Sequence, residues 1–203
     1  MTEAFVGELF SVKDKVILVT GSNRGYGYAI AEGLNKAGAI VIRIDLSFDT
    51  RLNTDDFEFD LANKIQIKSL VEKINKKYGR IDALVNNAGV SISSANAYTD
   101  NEAYEKTLAI NLHSVFELCC TVCPIMANKN SGSIVNITSL GAELGFPNNP
   151  AYQISKAGLK QLTKAVARDW SVNNIRANNI CPGYIKTSMT KNSYEDKILN
   201  ANR

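Results

Sequence analysis

The run Thr20-Gly21-Ser22-Asn23-Arg24-Gly25-Tyr26-Gly27 places three glycines in a G-x-x-x-G-x-G spacing. Each glycine answers a need of phosphate binding. One permits a sharp turn, one lets backbone approach a pyrophosphate, and one lets a helix pack close to a strand. The run follows a β-branched stretch, Lys15 to Thr20, and opens a helix pattern. Free N–H groups at that helix start would face the phosphates. Asp45 ends the next apolar run. A carboxylate there can accept from both ribose hydroxyls of an adenosine, and it would repel a 2′-phosphate. A glycine turn without ligand and an ordinary turn aspartate are the plainer alternatives.

A second set lies further on. Tyr152 and Lys156 stand four apart, one helical turn, and Ser139 precedes them. Hydride transfer to a ketone leaves an alkoxide that needs a proton, from a donor poised near neutral pH. Free tyrosine titrates at about 10, so it needs help. The Lys156 charge would favour the phenolate. Ser139 could hydrogen-bond the substrate oxygen, which is both orientation and charge stabilisation.

These residues need a scaffold, and the hydrophobic pattern supplies one. Apolar strands are expected at Lys15–Thr20, Ala39–Asp45, Phe57–Asp60, Ile81–Val85, Ser133–Thr138 and Ile175–Ile180. Helical spacing falls at Tyr26–Ala37 (Ile30, Leu34, Ala37), Ile65–Tyr78 (Ile67, Leu70, Val71, Ile74), Glu102–Met126 and Ala151–Val172. Strands apolar throughout are buried on both faces, as in a parallel sheet covered by helices. Alternation with helices implies right-handed crossovers. The expected fold is α/β, a Rossmann-like doubly wound parallel sheet in three layers, α/β/α. Six strands are expected, in one dinucleotide-binding domain over 1–203.

Composition limits the function classes. Of 203 residues, 45% are apolar and 21% charged, an ordinary globular balance. The net charge of +3 is weak and dispersed, which argues against a nucleic-acid partner. No run of 18 apolar residues occurs, and the acidic first residues do not read as a signal peptide, so no membrane partner and a cytoplasmic location are expected. Cys120 and Cys123 form a C-x-x-C pattern inside the apolar run Val115–Met126, but the chain has one histidine and no second pair. No metal site is expected, and the cysteines read as small buried core residues.

Together the motifs resemble the short-chain dehydrogenase/reductases, from about Lys15 to Thr190. Beyond the glycine turn there are Asn86-Asn87-Ala88-Gly89, Asn111, Ser139, Tyr152-x-x-x-Lys156, Pro182-Gly183 and Thr187, in the family's order. The resemblance implies catalytic roles for Asn111, Ser139, Tyr152 and Lys156. In the family the lysine also binds the nicotinamide ribose, and the matching asparagine holds a water that relays protons to it. Cofactor contacts are implied for Gly21, Ser22, Asn23, Arg24, Gly25, Gly27, Asp45 and Leu46, and for Asp60 and Leu61 beside the adenine. Asn87, Ala88 and Gly89 would line the adenosine ribose and the central strands. Tyr152, Lys156, Pro182, Gly183, Ile185 and Thr187 would hold the nicotinamide end, although Thr187 could equally cap a helix.

In relatives a basic residue at the position of Arg24 goes with NADP, whereas Asp45 and the non-basic Leu46 favour NAD. NAD is the expected cofactor and NADP the less favoured one. Relatives run about 50 residues further and add a seventh strand, missing here. The implied partners are a small-molecule substrate and a second copy, as a homodimer through the helices after Asn111 and Tyr152. The activity expected is hydride exchange between a nicotinamide cofactor and an alcohol or ketone of a small polar substrate, a sugar acid or polyol. The alternatives are a 3-oxoacyl reductase of the same family, or a non-catalytic dinucleotide-binding or scaffold protein.

Overall fold

The computed structural model describes residues 7, 10–50, 52, 54–92 and 96–185. Six strands form one sheet: β1 (Val16–Thr20), β2 (Ile40–Asp45), β3 (Asp55–Glu58), β4 (Ala83–Asn86), β5 (Gly132–Ile137) and β6 (Ile175–Ile180). Their order is β3-β2-β1-β4-β5-β6, and every pairing is parallel. This is the doubly wound arrangement expected. The chain winds one way from β1 and then the other, so a crevice opens at the carboxyl ends of β1 and β4.

The helices are α1 (Gly25–Lys36), α2 (Lys64–Tyr78), α3 (Asn101–Leu108), α4 (Ser114–Ala127) and α5 (Pro150–Asp169). In α2 the residues Ile67, Leu70, Val71 and Ile74 are all buried, the stripe that the sequence predicts. They join Leu118, Val122 and Met126 of α4 and Leu159 and Val166 of α5 in the larger core on one sheet face. On the other face α1 buries Gly27 and Ala31. Of the predicted stripe, Ile30 and Leu34 are only partly buried beside them, and Ala37 lies past the helix end and is exposed. The smallest residues lie innermost because α1 must sit close to β1.

Several boundaries depart from expectation: the fourth strand begins at Ala83 rather than Ile81, and three further departures are larger or have a visible cause. The third strand is Asp55–Glu58, not Phe57–Asp60, and pairs from Ile42↔Asp55 to Asp45↔Glu58. Two aspartates do not advertise a strand. They are admitted because Asp56 lies beside Arg43 of β2, which is fully buried. The last long helix stops at Asp169, short of Val172, and a single turn, Ser171–Asn173, ends at Asn174 with φ of 52°. The helix expected at Glu102–Met126 runs from α3 to α4 through one π turn, Ala109–His113.

That composite helix, Asn101–Ala127, is long and apolar enough to cross a membrane, with 44% of its most apolar window buried. Its inward face is core. Of the C-x-x-C pair expected to be core, Cys123 is buried but Cys120 is exposed; Cys119 is buried and Cys181 exposed.

A polar row crosses three strands inside this core. Asn86 Nδ2 donates to Asn136 Oδ1 (2.8 Å), and Asn136 Nδ2 donates to Thr163 Oγ1 of α5 (2.7 Å). Thr163 Oγ1 lies 2.6 Å from Asn179 Oδ1. The three asparagines are register partners on β4, β5 and β6.

Candidate active site

The crevice is built first by Thr20 and Asn87. Thr20 Oγ1 accepts from the N–H groups of Asn87 and Ala88, each at 3.1 Å. Asn87 Nδ2 donates to the carbonyls of Thr20 (3.0 Å) and Gly21 (2.8 Å). The Asn87 side chain therefore braces the glycine turn from beneath, while the expectation concerned its backbone.

The glycines are sterically compelled. A Cβ at Gly27 would lie 2.0 Å from the Gly21 carbonyl oxygen, and one at Gly21 would lie 2.7 Å from Ala88 Cα. Gly25 has φ of +58° and open space where its side chain would be. α1 begins with no side-chain cap and no acidic residue in its first turn, so its N–H groups are available to an anion. The Ser22 hydroxyl is buried and has no hydrogen-bond partner among the described residues. A narrow cradle, uncapped N–H groups and an orphaned buried hydroxyl fit a dinucleotide pyrophosphate.

The adenosine side is set by Asp45. Its Oδ2 accepts from the Asn23 N–H (2.7 Å) and its Oδ1 from the Leu46 N–H (2.8 Å). Each oxygen keeps a second lone pair for a ribose hydroxyl. Leu46 is 65% exposed, and Arg24, just before the first residue of α1, is exposed too. Asp60 turns one oxygen to the Ala62 N–H (2.9 Å), which shapes the entry to α2, and Leu61 is core. The structure does not bring Leu61 into the open crevice.

At the other end, α5 carries Tyr152 and Lys156. Lys156 is 3% exposed and its Nζ donates to the Ile137 carbonyl at 2.7 Å. Burial pulls this ammonium down to about 8. It lies 5.8 Å from the centre of the Tyr152 ring. Burial pushes the Tyr152 hydroxyl above its ordinary range; its hydrogen bond with Ser139 pulls it down, and the Cys181 thiol pushes it up. The expected help from Lys156 is not among these influences. The ammonium is turned toward the end of β5, where it donates to the Ile137 carbonyl.

Asn111 sits fully buried in the π turn. Its side chain clamps Val90, accepting from the N–H (2.8 Å) and donating to the C=O (2.9 Å), and also donates to Ser155 Oγ (3.0 Å). Ser155 Oγ in turn donates to the Tyr152 carbonyl at 2.7 Å. The extra residue of the π turn aims an amide inward that a regular helix would not. Gly89 follows β4 at this point. A Cβ there would lie 3.3 Å from Lys156 Nζ and 3.4 Å from Asn111 Oδ1, so glycine keeps the space before the lysine open.

Beyond Ser139 the loop is held in place by side chains that sequence reasoning did not single out. Gln153 accepts from the Phe146 N–H (2.8 Å) and donates to the carbonyls of Phe146 (2.8 Å) and Asn149 (2.9 Å). Asn149 Nδ2 donates to Ser91 Oγ at 2.7 Å. The Leu140 N–H donates to the Pro182 carbonyl (3.0 Å), which draws Pro182 and Gly183 toward this loop. Phe146 meets Tyr184 edge to face at 5.9 Å. Ile185 is 46% exposed at the limit of this segment, and Thr187 lies outside the described residues.

A glycine cradle at the switch point of a doubly wound sheet, ending at a buried lysine 5.8 Å from the centre of a tyrosine ring, fits a nicotinamide-dependent oxidoreductase. Comparison with known proteins narrows the class. The chain belongs to the short chain dehydrogenase family, whose model matches residues 15–198. It is 34% identical to 5-keto-D-gluconate 5-reductase of Escherichia coli K12, over 97% of this chain and 82% of that protein. It is 36% identical to a 3-oxoacyl-(acyl-carrier-protein) reductase of Thermotoga maritima, over 89% and 78%. Among solved structures, a gluconate 5-dehydrogenase from Burkholderia cenocepacia, in complex with NADP and tartrate, superposes with a TM-score of 0.86 at 29% identity. It covers 94% of this chain and 79% of that one. The protein is therefore an NAD(P)-dependent enzyme acting on CH–OH groups.

Proposed function

We propose that the enzyme interconverts a secondary alcohol and a ketone on a small polar substrate of the sugar-acid or polyol class, with NAD preferred over NADP. The bound nicotinamide supplies or receives the hydride. Tyr152 Oη gives the substrate oxygen its proton in reduction and takes it back in oxidation. Ser139 Oγ, whose influence draws the Tyr152 hydroxyl downward, holds that oxygen in line. Lys156 keeps a positive charge behind the ring, and Asn111 fixes Val90 and, through Ser155, the first turn of α5.

The observation that carries the oxidoreductase reading is the joined set of Ser139, Tyr152, Lys156 and Asn111 around an open Gly89. The polar choice of substrate is supported by the Asn149–Ser91 bridge between the loops that flank Tyr152 and Gly89. It is also supported by the sugar-acid names of the relatives at 34% identity. NAD is supported by Asp45, which faces the ribose position with two lone pairs to spare. Phe116 (51% exposed) and Ile154 (49%) support pairing of two copies through α4 and α5.

The test is a substrate panel with NADH and NADPH, containing 5-ketogluconate and an acetoacetyl thioester. Turnover of the keto acid with NADH is expected. Replacing Tyr152 by Phe should lower kcat by about 10²–10⁴ while NADH binding persists. Unchanged turnover in that variant would overturn the assignment of Tyr152. Faster reduction of the thioester would replace the substrate class with the acyl one.

A further inference from the structure

The NAD preference rests above on one carboxylate. The loop after β2 brings a second one to the same place. Arg43 of β2 has no solvent exposure. Its Nε lies 3.3 Å from Asp56 Oδ1, its two terminal nitrogens each donate to the Thr50 carbonyl at 3.0 Å, and its guanidinium stacks 4.4 Å from the centre of the Phe48 ring. A buried guanidinium needs all of these partners. Satisfying it folds residues 46–50 back over the end of β2. Asp49 is thereby delivered to the glycine turn.

There Asn23 closes a reciprocal clasp. Its Nδ2 donates to Asp49 Oδ2 (3.0 Å), and its Oδ1 accepts from the Asp49 N–H (2.9 Å). The same residue gives its backbone N–H to Asp45. One asparagine thus ties together two carboxylates, Asp45 on its main chain and Asp49 on its side chain. Two groups bonded to one residue lie within about one Debye length of each other at moderate salt, about 10 Å.

We propose that Asp49 is a second determinant of dinucleotide choice: its charge, positioned by Arg43 and Asn23, joins Asp45 in disfavouring a 2′-phosphate on the adenosine ribose. The proposal rests on Asp45 marking the ribose position. A 2′-phosphate carries about two negative charges, so a carboxylate beyond Asp45 still repels it. The 2′-hydroxyl of NAD is neutral and feels little of this. Asp49 is exposed, so the effect must be modest and sensitive to salt.

The experiment measures dissociation constants of NADH and NADPH by nicotinamide fluorescence, at low and high salt, for the wild type and two variants. D49N keeps an oxygen for Asn23 Nδ2 and the backbone N–H for Asn23 Oδ1, so it removes charge and preserves the clasp. D49A removes the charge and that oxygen. In each variant the NADPH constant should fall relative to the NADH constant, by about 3- to 10-fold at low salt, and by less at high salt. In D49A both cofactors should also bind more weakly than in D49N, because Asn23 Nδ2 loses its acceptor and the loop is held less firmly. A ratio within twofold of wild type in both variants would overturn the proposal. A change equal at low and high salt would also overturn it, because a charge effect must be screened. A wild type that prefers NADPH would sink the NAD reading of the preceding section, yet the shift on removing Asp49 would still stand or fall by itself.

Discussion

Replacing Lys156 by Met should remove catalysis and stabilise the fold near neutral pH. Lys156 is buried, and its ammonium is pulled from 10.5 to about 8. At about 1.4 kcal/mol per pH unit, that difference is worth about 3 kcal/mol. The folded pKa lies below the unfolded one, so the unfolded chain binds the extra proton between these values. The wild type therefore carries the whole penalty below pH 8, sheds it between pH 8 and 10.5, and carries none above. Met avoids the penalty at every pH but leaves the Ile137 carbonyl without its 2.7 Å donor, at about 1–2 kcal/mol. The variant should then be more stable than wild type by about 1–2 kcal/mol at pH 7, an advantage that shrinks and reverses toward pH 10.5. Urea unfolding of both proteins at pH 7, 8, 9 and 10, without cofactor, measures this directly. A stability difference that stays constant across that range would refute the reasoning, since it would mean that Lys156 titrates alike in both states.

Two other outcomes follow from the geometry. Gly27→Ala sets a Cβ 2.0 Å from the Gly21 carbonyl oxygen, so the turn must open; thermal unfolding should show a loss of about 1–3 kcal/mol, and NADH titration at least a tenfold weaker complex. Burial would raise the Asp82 carboxyl, but the Arg80 side chain and the Val16 N–H (2.8 Å) outweigh it and hold it below the ordinary range. Its stabilisation is therefore present above the unfolded pKa of about 3.9 and lost as pH falls through the lower folded value. Asp82→Asn should unfold at lower denaturant than wild type at pH 7, with the gap closing toward pH 3; a gap that widened in acid would contradict the ion pair.

The strands and the site were legible to different degrees. Five of the six strands and the α2 stripe could be read because runs such as Val16–Thr20 are apolar throughout, and a sheet covered on both faces demands that. The third strand was misplaced because its residues answer to Arg43, and a pattern search does not ask where a buried charge finds its partner. The motif positions of Asn111, Ser139, Tyr152 and Lys156 were legible from type and spacing. Their electrostatics were not. The direction of the Lys156 ammonium depends on a carbonyl 19 positions earlier in the chain, and the amide of Asn111 on a π turn that no local propensity signals. The bracing by Asn87 and Gln153 was hidden for the same reason, since a side chain that bonds to distant backbone leaves no periodic trace.

The row of asparagines across β4, β5 and β6 has a consequence for how the sheet assembles. Greasy parallel strands are nearly interchangeable under a slide of two residues, which returns every side chain to the same face. A two-residue slide of β5 against β4 would set Asn86 opposite Ile134 or Thr138 and break its bond to Asn136, and a slide of β6 would part Asn179 from the Thr163 hydroxyl. The amide rung thus acts as a detent that closes in one alignment alone. Because Thr163 of α5 is part of it, the same click that sets the strands also sets how far along the sheet Tyr152 and Lys156 come to rest.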